Sequence, residues 1–263
     1  MIVCRSTAEL EKLRRVNQLV GRILTELRQM VVPGVTTEEI DASAEALVRQ
    51  AGAEPAFKGY HGFPATVCAS VNEQVVHGIP SARQLVEGDV LSLDMGAKLD
   101  GFFGDSAVTV PVGWVSTDAA RLLRVTETAL FHGIEAVKPG ARVSDIGAAV
   151  QAHVEAHGFS VVREFVGHGI GTSLHEEPQI ANYGPADRGP RLAEGMALAI
   201  EPMVNAGAAG VKVLSDGWTA VTRDGSLSAH FEHSVVVADG GYEILTMLDA
   251  DAPRTRELLA TRG

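Results

Sequence analysis

Apolar residues recur at helical spacing over residues 7–31. Leu10, Leu13, Leu19, Val20, Ile23, Leu24, Leu27 and Met30 fall on one face, with Arg and Glu between them. Pro33-Gly34 ends that helix. Ile40, Ala44, Leu47 and Val48 mark a second amphipathic helix that stops at Gly52. Short strand-like runs follow at residues 65–71, 89–93 and 107–112, punctuated by Gly and Pro. The helical pattern then returns at 118–137 with Leu122, Leu123, Val125, Leu130, Ile134 and Val137. Pro139-Gly140 stops it, and Ser144 is placed to cap a further helix carrying Ile146, Val150 and Val154 and ending at Gly158.

These periods repeat. Pro33 and Pro139 lie 106 residues apart, and the same offset carries Ile40 onto Ile146 and Gly52 onto Gly158. An offset of 107 carries Glu87-Gly88 onto Glu194-Gly195 and Asp94 onto Glu201. The chain reads as two halves, roughly 7–113 and 118–249, within a single domain of residues 1–263. Each half places an acid in an apolar strand: Leu91-Ser-Leu-Asp94 and Leu198-Ala-Ile-Glu201, both read as strands ending on a carboxylate. A second match sets Asp105-Ser-Ala-Val-Thr-Val against Glu232-His-Ser-Val-Val-Val. Buried carboxylates without partners neutralise or find a cation.

Phe165-Val-Gly-His-Gly-Ile-Gly-Thr-Ser-Leu-His-Glu-Glu-Pro178 supplies the imidazoles. Its glycines argue against a helix and let the backbone approach other groups closely. His168 and His175 are therefore read as placed in one cavity from an extended segment or loop. Asp94, Asp105, Glu201, Glu232 and His168 together suit two adjacent divalent ions, which can activate one water and hold a substrate oxygen. Such a site takes Mn, Fe, Co or Zn. Asp89, Asp100, Glu176 and Glu177 are assigned to turns, solvent or support around the site. His77 alone reads as a turn histidine.

Composition narrows the function classes. The 263 residues include 46% hydrophobic and 21% charged side chains, enough for a sizeable core. The net charge of −11 gives no footprint for nucleic acid or an anionic membrane. A local basic group, Lys12, Arg14, Arg15 and Arg22, is the exception. Two cysteines, no signal core and no membrane-length apolar run point to the cytoplasm. The tail after Asp249 is expected to be a frayed helix.

The chain resembles the type I methionine aminopeptidases. The resemblance rests on Gly59-Tyr-His-Gly-Phe-Pro64, Ser70-Val-Asn-Glu73, His77-Gly-Ile-Pro80, Asp94, Asp100-Gly-Phe-Phe-Gly-Asp105, Gly167-His-Gly-Ile-Gly171, His175-Glu-Glu-Pro178, Glu201-Pro202, Asp216-Gly-Trp218 and Ser226-Leu-Ser-Ala-His-Phe-Glu-His233. It implies the α+β pita-bread fold, two pseudo-symmetric halves with a central antiparallel sheet and outer helices around a dinuclear metal site. It implies Asp94, Asp105, His168, Glu201 and Glu232 as metal ligands. It implies His77 near the scissile nitrogen, His175 at the carbonyl oxygen, and Glu201 as general base. The implied methionine pocket includes Phe57, Tyr60, Phe63, Cys68, Leu174 and Trp218. Phe57 stands where some relatives have cysteine, and Leu174 where phenylalanine is common. No zinc-binding or proline-rich extension and no type II insertion is expected.

The implied activity is removal of initiator methionine from nascent polypeptide N-termini before a small second residue. It would be carried out by a monomer, near the ribosomal exit tunnel. Two other readings compete. One is a proline-directed aminopeptidase or dipeptidase of the same fold, which usually carries a large N-terminal domain. The other is a catalytically inactive binding module, which would have lost ligands that this chain keeps.

Overall fold

The computed structural model describes residues 1–248, so the expected tail helix lies outside the described residues. Four helices form where the apolar period places them: α1 (Thr7–Met30), α2 (Thr37–Gln50), α3 (Thr117–Glu135) and α4 (Val143–Ala156). Ser6 and Glu9 cap α1 reciprocally, and Thr36 and Glu39 do the same for α2. Ser116 caps α3, accepting from Ala119 N at 3.1 Å. At α4 the expectation fails. The cap is Arg142, and Ser144 lies inside the first turn. Its hydroxyl instead accepts from Arg188 N at 2.7 Å, because a later loop returns to this end of the helix.

The strands, in chain order, are β1 (Glu54–Pro55), β2 (Val67–Val71), β3 (Gln74–Val76), β4 (Val90–Leu99), β5 (Phe102–Pro111), β6 (Ser160–Val161), β7 (Gly167–Gly169), β8 (Glu176–Ile180), β9 (Ala197–Ile200), β10 (Met203–Asn205), β11 (Val211–Val213), β12 (Ala220–Thr222), β13 (Ser228–His230), β14 (Glu232–Ala238) and β15 (Gly241–Ile244). The main sheet runs β1-β4-β5-β14-β9-β7-β8, with β2 on β4 and β15 on β14. Its pairings are antiparallel. Two small sheets, β13-β10-β6 and β11-β12-β3, complete the described strands. Asp94 does not end its strand. β4 continues through Met95 to Leu99, because Asp105 and Phe103 on β5 lie on the rungs opposite Gly96 and Lys98.

Matching positions in the two halves make matching contacts. Thr36 bridges Gln84, and Arg142 bridges Arg191. Gly34 N donates to Leu85 O and Gly140 N to Leu192 O, each at 2.8 Å. Gly52 and Gly158 close α2 and α4 at φ 73° and 76°. The first half packs Leu13, Leu27, Ile40, Leu91 and Leu93 into one core. The second packs Leu122, Ile134, Ile146, Leu198 and Ile200 into another. Helices therefore clothe the sheet, and its cavity face is left for polar side chains. Among the described residues no helix is long and apolar enough to cross a membrane.

Candidate active site

Sheet register gathers the acids. Ala107 on β5 pairs with Asp94 on one side and Glu232 on the other. Asp105 lies two residues before Ala107, on the same face of β5. His168 pairs with Ala199, and Glu201 lies two residues beyond Ala199, just past β9. Five residues distant in sequence thus meet across five neighbouring strands. His168 Nε2 is 3.4 Å from Glu201 Oε1 and 4.0 Å from Asp105 Oδ2.

The glycines around His168 serve close approach. A Cβ on Gly167 would collide with the Ala199 carbonyl, and one on Gly169 with the Glu177 carbonyl. His168 Nδ1 lies 3.0 Å from Gly169 O, so it carries the proton and leaves Nε2 as a free lone pair. His175 packs against His168, ring centroids 4.3 Å apart. Tyr60 OH lies 2.8 Å from His175 Nδ1. Burial raises the Tyr60 pKa, so the phenol stays protonated and donates. His175 Nε2 then carries the imidazole proton.

These groups line a cavity of about 670 Å³ that opens to solvent. Its wall holds each residue that the resemblance implies for the metal, catalytic and methionine sites: Phe57, Tyr60, Phe63, Cys68, His77, Asp94, Asp105, His168, Leu174, His175, Glu201, Trp218 and Glu232. Phe63 meets Trp218 edge to face at 5.2 Å. Asp216 anchors the Trp218 turn by accepting from Trp218 N at 2.8 Å. His77 sits at φ 60°, a conformation that L residues seldom adopt, which fits a functional position.

Burial controls the charges. It raises Asp94 to about 7, with His230 opposing and Glu201 adding to the rise. Burial raises Glu201 to about 8. Asp105 and Glu232 are pushed well above the carboxylate range by burial and then by neighbouring acids. His168 and His77 are lowered to about 4, mainly by burial, and are neutral at pH 7. Asp94 Oδ1, Asp105 Oδ1 and Glu232 Oε1 are buried without hydrogen-bond partners. Ligand atoms of Asp105, His168 and Glu232 lie within 4.8 Å of one another. Orphaned carboxylate oxygens beside an imidazole with a free lone pair form a donor set that fits divalent cations.

Comparison with known proteins agrees. The model for metallopeptidase family M24 matches residues 11–239. The chain belongs to metallopeptidase family M24. It is 52% identical to methionine aminopeptidase 1 of Bacillus subtilis over 246 residues, covering 94% of this chain and 99% of that protein. A methionine aminopeptidase structure from Thermotoga maritima superposes with a TM-score of 0.93 at 44% identity, covering 94% of this chain and all of that one. A prolidase from Pyrococcus furiosus reaches a TM-score of 0.76 at 21% identity, covering 94% of this chain and 66% of that one, and shares the fold alone. The M24 relatives establish the pita-bread fold here.

Several residues of this M24 site escaped the sequence reading. His230 is 1% exposed, and its Nε2 lies 3.6 Å from Glu201 Oε2. Its spacing of two from Glu232 was the available signal, since alternate strand residues share a face. His61 also lines the cavity. Asn182 donates to Glu201 O at 3.1 Å. Asp89 is buried and accepts from Asn72 at 2.7 Å and Val86 N at 3.1 Å, so it fixes a turn. Glu176, half-buried beside Arg5, supports the His175 loop, whereas Asp100 and Glu177 are exposed.

Proposed function

We propose that the chain removes the initiator methionine from nascent polypeptides by metal-dependent hydrolysis of the first peptide bond. The carrying observation is the cavity itself: four carboxylates, Asp105 and Glu232 buried and Asp94 and Glu201 half-buried, with His168 on its floor, under an apolar wall. Asp94, Asp105, His168, Glu201 and Glu232 would hold two divalent ions, Mn, Fe, Co or Zn. When bound, these ions supply Lewis acidity and lower the pKa of a water.

The chain's own groups do the rest. His175, with its Nε2 proton set by Tyr60, donates to the substrate carbonyl oxygen as negative charge develops. Burial raises the Glu201 carboxyl, and bound cations would hold it ionised; it then accepts a proton from the attacking water and returns it to the leaving amine. His77, neutral at pH 7, hydrogen-bonds the scissile amide nitrogen.

Phe57, Tyr60, Phe63, Cys68, Leu174 and Trp218 receive the methionine side chain. Its flexible thioether suits an irregular aromatic-lined slot. No acid in the wall is left over for a basic first residue. A bulky second residue would meet the histidine side of the cavity, so Ala, Gly, Ser and Thr are accepted there.

The same reading treats residues 1–263 as one domain of two related halves, acting as a cytoplasmic monomer near the ribosome. The basic group on α1 is partly balanced. Arg14 pairs with Glu243 and Glu11, and Arg15 with Asp100.

A panel of X-Ala-Ser and Met-X-Ser peptides, scored by kcat/KM, tests the proposal. Met-Ala-Ser should lead and norleucine should follow it, since one methylene or thioether changes discrimination by only about 1–3 kcal/mol. Preference for X-Pro peptides would move the chain to the proline-directed reading. No turnover with any metal would leave only the inactive module.

A further inference from the structure

Helices α3 and α4 bring three histidines together outside the catalytic cavity. His132 lies on α3, His153 on α4, and His157 follows α4 as its cap. Ring centroids are 4.6 Å apart for His132 and His153, and 4.4 Å apart for His153 and His157. His153 and His157 are one helical turn apart, the spacing at which side chains on one face meet.

The hydrogen bonds sort the nitrogens. His157 Nδ1 lies 2.8 Å from His153 O. A ring nitrogen facing a carbonyl carries the proton, so His157 Nε2 keeps its lone pair. Backbone carbonyls hold metal-binding imidazoles in this same tautomer. His153 Nε2 is buried and has no hydrogen-bond partner. Burial, and then His132 and His157, lower the His153 pKa to about 4, so protons do not compete for it at pH 7. Glu135 brings a carboxylate oxygen to 3.8 Å from His132 Nδ1.

We propose that His132, His153 and His157, with Glu135, bind one borderline divalent ion of the Zn²⁺, Cu²⁺ or Ni²⁺ class at the α3–α4 surface. Three imidazoles and one carboxylate make a four-ligand set that those ions favour over Mg²⁺ or Ca²⁺. The catalytic cluster differs, being rich in carboxylate. The rings now lie side by side, and only Asp105, His168 and Glu232 among the described residues already gather three ligand atoms within 4.8 Å. Binding therefore draws the partly exposed His132 and the end of α4 together, so that the Nε2 atoms of His153 and His157 converge with His132 on one ion. Metal counts on the whole protein would then exceed those of the catalytic cavity by one.

The experiment is equilibrium dialysis of the full-length protein against Cu²⁺ at neutral pH, with electron paramagnetic resonance of the bound ion. The variants are His153→Gln and the surface pair His132→Ala with His157→Ala; His168→Ala marks the catalytic site separately. Far-UV circular dichroism checks that each variant folds, and the surface pair covers the case in which His153→Gln does not. The surface pair should bind one Cu²⁺ fewer per chain, lose a signal split by several nitrogens, and hydrolyse Met-Ala-Ser at the wild-type rate. His168→Ala should keep that signal. Unchanged stoichiometry and an unchanged spectrum in the surface pair would overturn the site. Loss of the multi-nitrogen signal in His168→Ala alone would overturn it equally.

Discussion

Removing Arg5 tests how the His175 loop is held. Arg5 is 8% exposed, and its guanidinium pairs with Glu176, the residue after His175. Glu176 Oε1 also accepts from Thr172 N at 2.8 Å, Ser173 N at 3.0 Å and Thr172 Oγ1 at 3.2 Å. One carboxylate thus ties the turn leading to His175, and Arg5 holds that carboxylate. A Cβ on Gly171 would collide with the guanidinium, so a side chain there would displace Arg5 from its present position. Arg5→Ala deletes a charge-assisted hydrogen bond worth about 1.5–3 kcal/mol. Glu176 keeps three donors, so the larger cost of a stranded buried charge does not arise.

If that free energy acts wholly on loop order, kcat falls roughly 10- to 150-fold at about 1.36 kcal/mol per decade. Some of it will lower global stability instead, so a loss near tenfold is expected, with KM little changed. Arg5→Lys should recover part of it, since lysine restores the charge without the fork. The pH dependence carries a sign. Burial pushes the Glu176 carboxyl upward, but the Ser173 N–H and Arg5 outweigh it and hold the pKa below the ordinary carboxylate value. A lowered folded pKa stabilises above the unfolded value and is lost as pH falls through the lowered one. Wild type and Arg5→Ala should therefore differ in melting temperature at pH 7 and converge in acid. Steady-state turnover of Met-Ala-Ser at saturating metal, with melting curves across pH, measures both effects. Wild-type kcat in a destabilised Arg5→Ala would refute the loop argument and leave Arg5 as packing.

Other expectations are simpler. His175→Ala should lower kcat by roughly 10²–10³ with a small change in KM, because one oxyanion donor is lost; His157→Ala should leave kcat intact. Tyr60→Phe keeps the apolar wall but removes a neutral hydrogen bond worth about 0.5–1.5 kcal/mol, so kcat should fall about 2- to 13-fold. Chelation should abolish turnover, and Mn²⁺, Fe²⁺, Co²⁺ or Zn²⁺ should restore it. His168→Ala should weaken metal retention by dialysis, and full activity in metal-free protein would end the metallopeptidase mechanism.

What the sequence made legible follows from range. Helices α1 to α4 were readable because their apolar faces repeat within a few residues and Pro-Gly pairs stop the first and third. Asp94, Asp105, Glu201 and Glu232 were readable because each acid borders an apolar run at a matching place in the two halves, and burial there demands a reason. The cap of α4 was misread because Ser144 is claimed by Arg188, 44 residues later, which no local rule can show. Asp94 was misplaced at a strand end because β5 extends the pairing past it.

His230, Tyr60 and Arg5 share the same difficulty in stronger form. Each acts through a partner distant in the chain: His230 through Glu201, Tyr60 through His175, and Arg5 through Glu176 across 171 positions. Residues that would hold the ions announce themselves by chemistry that is costly to bury. Residues that hold those residues use ordinary side chains, and only the folded chain says what they touch. That division explains why the donor set could be read from composition in context, while the tautomer of His175 and the anchoring of its loop required coordinates.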